Sequence, residues 1–156
     1  KRISDRAFFN SSGFAGSLTI PESVTYLGED CFSFSCGFDG DLIINANIEE
    51  IDGKYFKGTQ FKGSLVLGPH IKTILNDAFK SFDSFRGNLN LGNNVENIGM
   101  NSFSLTKFSG DLIIPSSVKM IDSSAFMNCN SISVVRILAD NITINSFVVG
   151  KCCVLW

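Results

Sequence analysis

The chain has one histidine, one tryptophan, two tyrosines and three prolines among 156 residues, and only 18% of its residues are charged. A lone histidine, His70, in the turn Gly68-Pro69-His70, has no oriented partner and no serine or cysteine motif beside it, so it reads as a solvated turn residue and not a catalytic base. A net charge of −2 and a pI near 5.3 leave no electrostatic footprint for nucleic acid. No apolar run approaches the ~18 residues of a membrane span, so direct membrane insertion by this segment is not expected. Five cysteines, an odd number, do not make a disulfide framework. Cys31 and Cys129 read as buried thiols; Cys31 and Cys36 could pair within one unit if the turn allows; vicinal Cys152 and Cys153 have no second pair or histidine at metal-ligand spacing. No linker rich in proline, glycine or serine divides the chain, and no convergent polar site argues for an enzyme or a cofactor.

What is present is a period. FAGSLTI from Phe14, FDGDLII from Phe38, FKGSLVL from Phe61, FRGNLNL from Phe85 and FSGDLII from Phe108 recur every 23 or 24 residues. An aliphatic ladder (Ile3, Leu27, Ile51, Ile74, Ile98, Ile121) runs in phase with it, followed five residues later by an aromatic one (Phe8, Phe32, Phe56, Phe79, Phe103, Phe126). A third ladder closes the units with Val24, Ile48, Ile71, Val95 and Val118. Such units cannot bury their apolar side alone and are stable only when stacked. Eleven of the 15 phenylalanines occupy the two aromatic ladders and are expected in the core. Mid-array Phe79→Ala is expected to be the most damaging truncation. Six units fill residues 1–142, with 143–156 a truncated seventh unit or cap.

FxGxLxI alternates with period two, the mark of a strand buried on one face. Phe, Gly, Leu and Ile should point inward, with the glycine making room for the neighbouring ring. A turn follows at Pro21, Gly68, Gly92 and Pro115, another lies between the two phenylalanines, and the polar stretch leading into each small-residue-plus-Phe pair, such as Asp77-Ala78-Phe79, has room for one helical or 3₁₀ turn at most. In the sixth unit, ISVVRIL places Arg136 at the inward leucine position. A buried unpaired guanidinium is costly, so a one-residue slip that turns Ile132, Val135 and Ile137 inward is expected. Ile142 and Phe147 then repeat the aliphatic-to-Phe spacing, and KCCVLW reads as a cap, a fragment edge or a partner-facing strand.

SLTIPESVTYLGEDCF, DLIIPSSVKMIDSSAF and the Ala-Phe-x-x-Cys of Ala125 to Cys129 resemble the BspA-like leucine-rich repeats, the Treponema-type repeats of surface proteins in mucosal bacteria and trichomonads. Only two units keep the Ile-Pro pair, and Ser11, Ser35 and Thr59 stand where the family has cysteine. The resemblance implies an α/β leucine-rich-repeat solenoid with little helix, a right-handed superhelix carrying a parallel sheet on its concave side. It also implies a surface-exposed or secreted, non-enzymatic role in adhesion to host matrix or other cells. An intracellular scaffold, cytoplasmic and stacking end to end through its open ends, is the alternative. The chain begins at Lys1, inside a repeat, and reads as a fragment or processed product, so a missing signal peptide says nothing about compartment.

The candidate binding residues are the outward positions of the strands. One ladder carries Ala15, Asp39, Lys62, Arg86 and Ser109; the next Ser17, Asp41, Ser64, Asn88 and Asp111; the third Thr19, Ile43, Val66, Asn90 and Ile113. Three exposed β-branched aliphatics beside mixed charge resemble the apolar centre and polar rim of a protein-binding patch. The competing reading is that Asp39 and Lys62 simply pair across strands and Ile43 and Val66 are neighbours in a good sheet. Asn10 and Asn141 head sequons and are glycosylation candidates should the protein be eukaryotic and secreted.

Overall fold

The computed structural model describes residues 1–145 and 153–155. They form a parallel β-solenoid with one 3₁₀ turn, Gly53–Tyr55, as its only helical element. Each coil has three sides. The front holds the five FxGxLxI strands, β2 (Gly16–Ile20), β4 (Phe38–Ile44), β6 (Leu65–Leu67), β8 (Leu89–Asn90) and β10 (Gly110–Ile114), followed by β12 (Ile132–Ile137) and β14 (Cys153–Leu155). The side holds two-residue strands on the aliphatic ladder: β1 (Arg2–Ile3), β3 (Tyr26–Leu27), β5 (Glu50–Ile51), β7 (Thr73–Ile74), β9 (Asn97–Ile98), β11 (Met120–Ile121) and β13 (Thr143–Ile144). The back is the run of turns around the first phenylalanine of each unit, such as residues 5–10 and 29–34. We number the coils 1 to 6 from Ile3, Leu27, Ile51, Ile74, Ile98 and Ile121.

All strand pairing is parallel and joins successive coils, so the sheets run along the stack. Because coils repeat at strand spacing of about 4.8 Å, identical side chains fall on top of one another. Phe103 stacks on Phe79 at 5.4 Å and on Phe126 at 5.3 Å, with rings within 6° of parallel. The second aromatic ladder runs without interruption from Phe14 through Phe38, Phe61 and Phe85 to Phe108 at 4.6–6.0 Å. Leu42, Ile44, Ile51, Leu65, Ile74 and Ile98 are wholly buried between these columns. Two ladder members depart from the expected burial. Phe14 is 42% exposed and Phe8 only half-buried; both lie in coil 1, against which the described residues stack coil 2 alone.

The glycine of FxGxLxI has a different purpose from the one its position suggested. A Cβ on Gly40, Gly63 or Gly87 would meet the backbone of the preceding coil at 2.6–2.9 Å and its Ser17, Asp41 or Ser64 side chain at 2.1–2.4 Å. The residue is small so that coils can approach, not to admit a ring. Gly16 and Gly110 also adopt φ near +76° beside register shifts in β2/β4 and β10/β12, a bulge geometry that favours glycine.

The sixth unit slips as expected. Val135 lies opposite Leu112, Ile132 and Ile137 are buried, and Arg136 turns outward to pair with Asp111 at 3.5 Å. The aliphatic ladder continues through Ile144, which pairs with Ile121, so Ile142 does not carry the seventh rung. Phe147 lies outside the described residues. In the tail, Cys153–Leu155 adds a strand to β12.

Candidate functional site

The three outward ladders prove to be chemically distinct. In the second, short oxygen-bearing side chains accept the backbone N–H of the next coil. Ser17 Oγ takes the Asp41 N–H at 2.9 Å, Asp41 Oδ1 the Ser64 N–H at 2.7 Å, and Ser64 Oγ the Asn88 N–H at 3.0 Å. The small inward glycine brings the chains together and the side chain satisfies a donor there, so Asp41 holds the stack while its edge faces solvent. In the first ladder Lys62 and Asp39 pair at 3.6 Å, and Asp39 also accepts the Gly16 N–H at 3.1 Å. Arg86 folds back, its guanidinium donating to the carbonyls of Asp83 and Phe85 at 2.5 and 2.8 Å. Exposed pairs of this kind contribute little stability, ~0–1 kcal/mol.

The third ladder is divided. Ile43 lies opposite Val66 and Val66 opposite Asn90, with both aliphatics half-buried. Ile113 is not in that row. The front is two sheets, β2-β4-β6-β8 and β10-β12-β14, and Ile113 belongs to the second, opposite Arg136. The split follows from the local sequence Asn90-Leu91-Gly92. Asn90 Oδ1 accepts the Gly92 N–H at 2.9 Å, Gly92 takes φ +67°, and β8 ends after two residues.

A groove of about 470 Å³ opens at this break. Asn88, Asn90 and Asn93 supply amides, Asp111 a carboxylate, and Ile113 and Leu138 exposed apolar side chains, 50% and 57% accessible. Four of the residues singled out from the sequence thus meet in one place: Asn88, Asn90, Asp111 and Ile113. Asp39, Ile43, Lys62, Val66 and Arg86 lie along the neighbouring sheet, and Asp41 beside them. Leu138 escaped the sequence reading. It stands one residue after β12, where earlier units place Pro21, Gly68, Gly92 and Pro115, and an aliphatic in that turn position was the available signal.

Other candidates resolve locally. His70 is not merely solvated: it is 31% exposed and its Nε2 lies 2.9 Å from Glu22 Oε1, spanning the intervening coil over buried Ala46. On the side, Glu49 pairs with Lys72 at 2.7 Å and Glu96 with Lys119 at 2.6 Å. Lys119 holds the Glu96 carboxyl below its usual range, and Glu49 raises the Lys72 ammonium. Cys31 is wholly buried, which pushes its thiol up to about 12, while Cys36 is exposed; the two form no disulfide. Cys129 is buried, its thiol donating to Phe103 O at 3.0 Å, and Ser35 and Thr59 at the equivalent position donate to Phe8 O and Phe56 O. Asn10 and Asn141 are exposed. Among the described residues no helix is long and apolar enough to cross a membrane, and no three His, Cys, Asp or Glu side chains gather as a metal site.

Stacked parallel coils with an aliphatic-aromatic core and a strand face define a leucine-rich-repeat solenoid. The chain belongs to the BspA-type leucine-rich-repeat family, whose model matches residues 1–81 and 49–155 with six copies. The fold is similar to that of a leucine-rich repeat protein from Bacteroides ovatus ATCC 8483, with a TM-score of 0.72 and 20% identity. That match covers 97% of this chain and 44% of the Bacteroides protein, so the chain spans less than half of its length. Comparison with curated proteins gives no match. The family makes this a repeat module for protein interaction, of a class that is typically non-catalytic and commonly surface-associated.

Proposed function

We propose that the module acts at a cell surface, binding a protein of host matrix or of another cell through its front face, with the groove at the β8/β10 break as the centre of contact. The observation that carries this reading is the pairing of exposed Ile113 and Leu138 with the Asn88, Asn90 and Asp111 rim around one depression. An apolar centre bordered by hydrogen-bonding groups is the arrangement of a protein contact. Ile43 and Val66, half-buried and satisfied by each other, extend the surface as its flank. The bound partner covers Ile113 and Leu138 while the amides, free of charge, adapt their donors and acceptors to its backbone.

The test is adhesion of the immobilised chain to solubilised extracellular matrix and to intact host cells. Ile113→Ser with Leu138→Ser is compared with Ile43→Ser with Val66→Ser, circular dichroism showing each folded. Loss of attachment in the first pair alone supports the groove. Equal attachment by all three chains places binding elsewhere, and no attachment by the unaltered chain removes the adhesive role.

A further inference from the structure

On the back of the solenoid, neighbouring coils are joined by a fixed set of three backbone bonds, donated by alternate residues. Arg6, Phe8 and Asn10 donate to Glu29, Cys31 and Ser33; Asp30, Phe32 and Phe34 to Lys54, Tyr55 and Lys57; Asp77, Phe79 and Ser81 to Met100, Ser102 and Ser104; Asn101, Phe103 and Leu105 to Ser123, Ala125 and Met127. Between coils 3 and 4 the set is missing. The equivalent donors are Lys54, Phe56 and Gly58. The Lys54 N–H turns to Asp52 Oδ1 at 3.0 Å and the Phe56 N–H to Gly53 O at 3.2 Å, inside their own coil.

Three further observations fall on the same interface. The first aromatic ladder stacks Phe8 on Phe32, Phe32 on Phe56, Phe79 on Phe103 and Phe103 on Phe126, yet among the described residues Phe56 and Phe79 make no ring contact. Coils 1, 2, 4, 5 and 6 each carry two non-glycine residues in the left-handed region here, such as Asp77 and Ser81, whereas coil 3 has none and forms the 3₁₀ turn instead. A cleft of about 410 Å³ lies between Lys57–Gln60 and Ser81–Ser84. The sequence cause is Tyr55. The residue before the ladder Phe is small in the other coils (Ala7, Cys31, Ala78, Ser102, Ala125), and a phenol does not fit that place, which is wholly buried in coils 2, 4, 5 and 6. Tyr55 is half-buried, Asp52 caps the 3₁₀ turn, and Gly53 lies against coil 4, where a Cβ would be 2.4 Å from Ala78 O.

The front breaks one interface later, between β8 and β10, while the side ladder β5-β7-β9-β11 runs past both breaks. Coil 4 is tied to coil 3 by its front strand and the Phe61–Phe85 stack, to coil 5 by its back turn, by the Ser109 N–H donated to Gly87 O at 2.9 Å and by the Phe85–Phe108 stack at 4.6 Å, and to both by its side. We propose that coil 4 is a built-in hinge, about which the solenoid opens at the back between coils 3 and 4 and thereby changes the curvature of its front face. The hinge does not depend on the adhesive role proposed above.

Hydrogen exchange of the intact chain reads this directly. Amides of 52–60 exchange roughly tenfold or more faster than their counterparts in 28–36 and 99–107, since each missing ladder bond lowers the cost of local opening. Lys54→Asn with Tyr55→Ala, which gives coil 3 residue types found at these places in coils 5 (Asn101) and 4 (Ala78), slows them to the rate of 28–36 and 99–107. Equal protection of the three segments in the unaltered chain overturns the hinge. So does a folded double variant whose 52–60 amides exchange as before. Should the double variant fail to fold, the comparison within the unaltered chain still decides.

Discussion

Truncating one ladder phenylalanine at a time measures how the stack distributes its stability. Phe103 is wholly buried, lies flat between Phe79 and Phe126, and meets Phe108 edge-on at 6.2 Å. Removing a buried ring costs about 3–5 kcal/mol, and flanking rings contribute ~0.5–1.5 kcal/mol each beyond burial, so Phe103→Ala falls at the top of that range, about 5 kcal/mol. Phe79 is equally buried but stacks on Phe103 only, with Phe82 edge-on, and its truncation costs about 3–4 kcal/mol. This revises the expectation that the mid-array ring matters most: Phe79 faces the open seam. Phe14, 42% exposed, costs ~1–2 kcal/mol. Against a typical total of 5–15 kcal/mol, the Phe103 variant loses a third or more of its stability. Urea unfolding followed by circular dichroism, with slopes compared to detect loss of cooperativity between coils, gives the ranking. Phe14→Ala as damaging as Phe103→Ala, or Phe103→Ala costing below ~1 kcal/mol, would refute the account of stacked rings as the main source of stability.

Asp41→Ala removes the acceptor of the Ser64 N–H and destabilises by about 1 kcal/mol, whereas Asp41→Asn, which keeps an acceptor oxygen, recovers most of that in the same unfolding assay. Thiol labelling of the native chain modifies exposed Cys36 rapidly and Cys31 only on unfolding, because burial holds the Cys31 thiol protonated near a pKa of about 12; equal rates would contradict the burial. Carboxyl NMR titration places Glu96 below its ordinary range, and Lys119→Ala returns it there. A depressed folded value means that this pair stabilises the fold above the ordinary carboxylate range and that its contribution disappears as pH falls through the lowered value.

The sequence by itself determined the architecture, because a solenoid repeats one local decision. Six copies of an aliphatic with a phenylalanine five residues on, and five FxGxLxI strands, can be buried only by stacking in phase, and the columns of Phe, Leu and Ile follow from that alone. The slip at Arg136 was legible for the same reason, since an unpaired guanidinium cannot replace a buried leucine. Tertiary structure decided what the outward residues do. The period placed Asp41, Asn88 and Ile113 on the front, but only the distance between coils shows that Asp41 completes a backbone bond and that Asn88 and Ile113 border a groove where the sheet divides. Likewise Tyr55 went unnoticed in the repeat pattern although it stands where other coils have Ala, Cys or Ser, and its consequence, a missing ladder between coils 3 and 4, depends on whether the neighbouring backbone can follow. A repeat pattern fixes which side of the strand a residue occupies; bonds between coils depend on sub-ångström approach, which no spacing along one chain encodes.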